Sequence, residues 1–225
     1  MSPRPYRLGR RRVAVEETRV KILEAARDLL AAEGGVSAFT VDAVAEHAGV
    51  ARMTVYYQFN SKPGLLEALF DHFAKRGLVD SLRAAFQRSQ PLEALDALIA
   101  AFCGFWASDR VAIRRMRGLA AIDAEIDVSV RARDERRRDA LRTILGRAAQ
   151  QQPLRRPMDE TVDVLLTLTS FEVFDSLAGT SRTTADVITL LTDLVHAHLQ
   201  EASRPARLKR PASTPSKRPG KTRAD

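Results

Sequence analysis

The chain has 225 residues, with 36 Lys and Arg against 28 Asp and Glu and a single cysteine, Cys103. That length can bury a substantial core, while one cysteine excludes an internal disulfide and a thiolate metal cluster. The longest uninterrupted apolar run, Ala97 to Ala107, falls short of the roughly 20 residues that cross a bilayer, and no apolar core follows the N-terminal arginines as in a signal peptide. Ala, Leu, Arg and acidic residues dominate, and no stretch alternates apolar and polar residues for long, so the expected fold is all-α with about nine helices. The net charge of +8 is unevenly spread: residues 1–15 carry +5, residues 202–225 carry +7, and the middle is left at −4.

Residues 1–15 hold five arginines without apolar periodicity and read as a disordered basic arm able to reach along phosphates or into a minor groove. A first helix is expected from Glu16 to Glu33, its buried face made by Val20, Ile22, Leu23, Ala26, Leu29 and Leu30, with Gly34-Gly35 ending it. The run from Thr40 to Lys62, TVDAVAEHAGVARMTVYYQFNSK, reads as two short helices joined by a tight turn and leading into another. Val41, Val44, Ala45 and Ala48 give the first an apolar face, Gly49 supplies a left-handed stop, and Val50 plugs the angle between the two. Val55 and Phe59, four apart, point inward, which turns Arg52, Met53, Thr54 and Tyr57 outward. A helix so presented fits the major groove of DNA.

The elements Phe39-Thr40, Ala45, Ala48-Gly49-Val50, Thr54-Val55-Tyr56-Tyr57, Phe59 and Ser61-Lys62 resemble the DNA-binding signature of the tetracycline-repressor (TetR/AcrR) family of bacterial regulators. With the preceding helix the likeness covers about residues 16–70. It implies a helix-turn-helix DNA-binding domain over residues 16–60 and a helical ligand-binding and dimerisation domain over residues 61–201; from 202 onward Pro, Lys, Arg, Ser and Thr take over, and that composition reads as a disordered basic tail. The implied function is a homodimeric cytoplasmic, nucleoid-associated regulator, in most cases a repressor, that binds a palindromic operator and is released by a small, largely apolar effector. The competing reading is a ligand-independent DNA-bound scaffold or activator that recruits a protein partner.

The DNA-facing candidates are Thr40, Ala51, Arg52, Met53, Thr54, Tyr56, Tyr57, Gln58 and Lys62. Thr40 stands at a helix N-cap, and in the family this threonine often also meets a phosphate. Arg52 is the best base reader, because a guanidinium can donate twice to guanine O6 and N7. Tyr56 and Tyr57 match the family's aromatic pair; one packs its ring in the local core, and the residues do not say which. Lys62, at a helix start, suits a phosphate. The sequence departs from the family where Met53 replaces a small residue, Gln58 a histidine and Ala51 a serine, which changes the operator that would be read. Asp42 suits the dipole of its own helix.

Beyond Lys62, apolar spacing predicts a helix over 61–76, Pro91 to Ala107, one from Asp109, a long polar helix from Ala124 to Gln151, Asp159 to Leu177, and Thr184 to Gln200. The run Arg131 to Arg138 reads as a solvated face with i,i+4 pairs. Candidate effector contacts are His72, Phe102, Trp106, Met116, Phe171 and Phe174, each also a natural core residue; His72 is rather a satisfied histidine at the domain junction. The two stripes of the last helix, with its predecessor, point to a dimer face built from Leu166, Phe174, Val187, Leu190, Leu191 and Leu194. No catalytic motif is found: His196 and His198 are two apart and face different ways, and Cys103 sits in an apolar helix. Neither an enzyme activity nor a cofactor or metal is expected.

Overall fold

The computed structural model describes residues 4–200, with side chains from Arg12 onward. These residues form twelve helices and no strand: α1 (Arg4–Ala31), α2 (Gly35–Ala38), α3 (Val41–His47), α4 (Arg52–Phe59), α5 (Lys62–Lys75), α6 (Leu78–Phe86), α7 (Pro91–Ser108), α8 (Arg110–Ala120), α9 (Ala124–Gln151), α10 (Met158–Leu168), α11 (Phe171–Ala178) and α12 (Thr184–Gln200). The all-α expectation holds, and the count rises from nine to twelve through the short α2, through α6 and through the split between α10 and α11. The basic tail expected from residue 202 lies outside the described residues.

The first difference lies at the N-terminus. Residues from Arg4 on continue α1 rather than forming a separate arm. Arg, Leu and Ala are good helix formers, and Pro5 falls in the first turn, where its missing N–H costs little. The second is α6, which follows Gly77 at φ 154°; Leu78, Leu82 and Ala85 face the core from it. The third is a break in the helix expected from Asp159 to Leu177. Ser170 Oγ caps α11 by accepting from Val173 N–H, so that donor no longer serves the Thr169 carbonyl. The buried Trp106 indole N–H takes this carbonyl instead, at 3.1 Å.

One continuous apolar core runs from Ile22 in α1 to Val195 in α12. Helix α7 lies at its centre, packed by α6, α9 and α12. It is also the one described helix long and apolar enough to span a membrane by length and composition, yet more than half of it is buried inside the protein. Its Leu95, Leu98, Ile99, Phe102 and Trp106 are core residues.

The N-terminal helices are fastened to the rest by polar ties. Asp109, almost fully buried at the start of α8, receives Arg27 of α1 and lies 3.7 Å from Arg76 at the end of α5. Arg115 of α8 donates to the Leu30 and Ala32 carbonyls, capping the C-terminal end of α1. On α5, His72 meets Glu24 of α1 at 2.9 Å, the junction role rather than an effector contact.

Candidate nucleic-acid interface and internal cavity

Helices α3 and α4 are set by their caps. Thr40 Oγ1 accepts from Ala43 N–H and starts α3. At its end Gly49, at φ 64°, takes the left-handed turn that a Cβ would oppose. Gly49 N–H then reaches Glu46 O, and Val50 N–H reaches Ala45 O at 2.9 Å, the paired bonds of a Schellman motif. Val50 packs on the core, and Val55 and Phe59 bury the inner face of α4. Ala51 stands at the α4 N-cap without a side-chain bond.

The outer face of α4 carries Arg52, Met53 and Tyr57, with Tyr57 83% exposed and Met53 57% exposed. Thr54 and Gln58 are half-buried beside them. The structure separates the two tyrosines: Tyr56 packs against the core while Tyr57 stands in solvent. Arg52 is not free. Its Nη1 donates to Asp42 Oδ2 at 3.1 Å and its Nη2 to Tyr56 Oη at 3.3 Å, with the guanidinium over the Tyr56 ring. Hydrogen bonding to Tyr56 and the Asp42 charge both raise its pKa. Asp42 therefore does more than suit a dipole: it holds Arg52 at the exposed outer face of α4. Such exposed pairs are weak, so a guanine or a phosphate can replace these partners.

Lys62 begins α5 on the same side, its Nζ over the Phe39 ring at 5.3 Å. Ser61 Oγ caps this helix through Gly64 N–H. From Lys62 to Phe70, α5 climbs eight residues, roughly 12 Å, and arrives at a cavity.

The cavity holds about 290 Å³ between α5, α6, α7 and α9. Phe70, Leu78, Leu82, Phe102, Phe105 and Trp106 are on its apolar side, and Arg133, Asp134, Arg136 and Arg137 of α9 on its polar side. Of the six expected effector contacts, Phe102 and Trp106 line it. Met116, Phe171 and Phe174 do not: they are buried elsewhere in the core, Phe171 edge-on to Trp106 at 5.7 Å. The expected dimer set divides as well. Phe174, Val187 and Leu191 are buried within the protomer, whereas Leu166 and Leu190 are half-buried and Leu194 is 42% exposed.

The run Arg131 to Arg138 is not wholly the solvated face its charge suggests: Arg137 is buried, on the inward stripe of Ile126, Leu141 and Ile144. Burial pushes its pKa down to about 10, with Asp134 opposing. Cys103 is buried, and desolvation pushes its thiol up to about 12, leaving almost no thiolate at neutral pH. Among the described residues no three His, Cys, Asp or Glu side chains are grouped to hold a metal.

Residues 22–69 match the profile of the bacterial regulatory proteins of the tetR family. Over 54 residues the chain is 46% identical to the HTH-type transcriptional regulator SrpR of Pseudomonas putida, a match covering 24% of this chain and 25% of that protein. The likeness to this relative thus spans a quarter of its length. The whole fold is shared more widely. The TetR-family regulator PfmR of Thermus thermophilus superposes with a TM-score of 0.63 at 24% identity, covering 80% of this chain and 99% of that one. A TetR-like transcriptional regulator from a Rhodococcus species gives 0.63 at 22% identity, covering 81% and 95%. The turn at Gly49 and the outward face of α4 thus lie in a segment that matches the DNA-binding part of the bacterial tetR-family regulatory proteins, and the all-helical body shares the fold of solved regulators of that family.

Proposed function

We propose that this regulator acts as a homodimeric repressor of the cytoplasm, with α4 of each protomer laid in successive major grooves of a palindromic operator. The observation that carries the reading is the face of α4, where Arg52, Met53 and Tyr57 are exposed over a helix anchored by Val55 and Phe59. An arginine and an exposed aromatic ring are groups that read guanine and thymine edges. Thr40, Tyr56, Gln58 and Lys62 flank that face and serve as phosphate contacts, which fix register without reading sequence. Ala51 contributes only close backbone approach.

Release by a small ligand follows from α5. Its first residue, Lys62, belongs to the DNA-facing surface, and Phe70, Asp71 and Ala74 further along it line the cavity. An occupant pressing on that wall tilts α5 and, through Glu24 and Arg27, the helices it is tied to. The spacing of the two heads then departs from the 34–36 Å of half-sites one turn apart. The ligand needs to prefer the DNA-incompetent state by only about 1–3 kcal/mol. The cavity favours this reading over the ligand-free scaffold, which has no use for one.

The test is binding to the DNA upstream of the protein's own gene across a salt series, for wild type and Arg52→Ala. The expected result is tight binding by two protomers, with discrimination against a scrambled site reduced on the order of tenfold or more in the variant. Equal, weak and steeply salt-dependent binding by both proteins would leave only nonspecific charge attraction.

A further inference from the structure

Arg137 is placed as a core residue and charged as a surface one. Its side chain is 4% exposed, and its guanidinium lies 5.7 Å from both the Phe102 and the Trp106 ring centroids. The hydrogen-bond reach of this group is poor: Nη2 lies 3.3 Å from Asp134 Oδ1 and 3.4 Å from the Leu166 carbonyl. Among the described residues Nε has no partner, although a guanidinium offers five donors. Asp134 is itself divided, since Arg117 Nη2 also reaches it at 3.3 Å.

The rest of the polar wall does not correct the imbalance. Arg133 is matched, donating to Asp71 Oδ1 at 2.6 Å and to the Glu67 carbonyl at 3.0 Å. Arg136 is exposed, and no ion pair joins it to a described residue. The wall thus holds three arginines against Asp71 and Asp134, both already engaged. An apolar cavity with a buried, under-bonded cation at its side is unfavourable when empty. It becomes favourable when an acceptor arrives.

We propose that the effector is an amphipathic carboxylate, its acidic group taken by Arg137 with Arg136 beside it and its apolar body laid against Phe70, Leu78, Leu82 and Phe102. This rests on the ligand-release reading and adds the chemical class. At about 30 Å³ per water-sized group, the cavity's 290 Å³ accepts about ten non-hydrogen atoms, the size of octanoate. The carboxylate supplies what the wall lacks, two acceptor oxygens in the geometry of a guanidinium fork.

Trp106 is the only tryptophan and lines the cavity, so its fluorescence reports occupancy. The experiment titrates the full chain with octanoate, octanol and octylammonium, then repeats the titrations with Arg137→Met. The expected result is octanoate binding at least about tenfold tighter than octanol, with octylammonium weakest. In Arg137→Met the octanoate preference should fall to within about twofold while octanol still binds. Equal binding of octanoate and octanol by the wild type overturns the acidic head and leaves an effector cavity standing. Failure of all three to perturb Trp106, in protein that still binds its operator, overturns both. Should Arg137→Met not fold, the wild-type ratio decides, and Arg136→Gln is expected to reduce it.

Discussion

Gly64 stands where a methyl group has no room. A Cβ built there would lie 2.2 Å from the Phe59 carbonyl oxygen, a backbone atom that cannot swing aside as a side chain would. The closeness comes from the turn between α4 and α5, in which Asn60 takes φ 63° and Ser61 N–H folds back to Phe59 O at 2.7 Å. Gly64→Ala is therefore expected to destabilise the protein by roughly 1–3 kcal/mol and to weaken operator binding, because the end of α4 and Lys62 move together. Thermal melts and gel shifts on the same preparation check both; an unchanged Tm would mean that the turn yields easily. Arg52 makes the complementary point. Its chemistry was legible from its place on α4, whereas its hold by Asp42 and Tyr56 depends on two helices meeting.

Between elements, charged ties do what packing alone would leave loose. Asp175 on α11 accepts from Arg110 Nε at 2.5 Å and from Arg114 Nε and Nη2 at 2.8 and 2.6 Å, while Arg110 also reaches the Asp175 and Gly179 carbonyls. Hydrogen bonding from Arg114, then from Arg110, draws the Asp175 pKa below its ordinary value despite partial desolvation. A carboxylate depressed in the folded state contributes stability that is fully present above its unfolded pKa of about 3.9 and lost as pH falls through the folded one. Wild type should thus exceed Asp175→Asn in Tm at pH 7, and the gap should narrow as pH drops below about 4. A gap that persists undiminished into strong acid would assign the effect to shape rather than charge. This tie holds α8 to α11 beside the Ser170 break, where the carbonyl taken by Trp106 joins the cavity wall to the C-terminal helices.

For the molecule as a whole, the proposed operator reading calls for two copies, because two heads one helical turn apart can read two half-sites. Helix α12 turns Val187, Leu191 and Val195 into its own core and leaves Leu194 exposed with Leu190 beside it. If α11 and α12 meet their counterparts in a second copy, Leu194→Glu buries a charge in that contact. The variant should sediment as a monomer at micromolar concentration, keep its helical content and lose most of its affinity for a two-half-site operator. A dimer that survives the substitution moves the interface to another face.

Local patterns along the chain determined the helical class, the Thr40 cap, the Gly49 turn and the inward pair Val55 and Phe59, because caps, turns and helical faces depend on residues within a few positions of one another. The TetR likeness was legible for the same reason: its signature lies within one short segment. Only the tertiary structure decided which tyrosine packs on the core, that Phe102 and Trp106 rather than Met116 or Phe174 face a cavity, and that Arg137 lies inside. Each of these depends on helices far apart in sequence. A basic run looks like a solvated face until the neighbours of each arginine are known, and Arg137 is buried because α9 turns it toward α7.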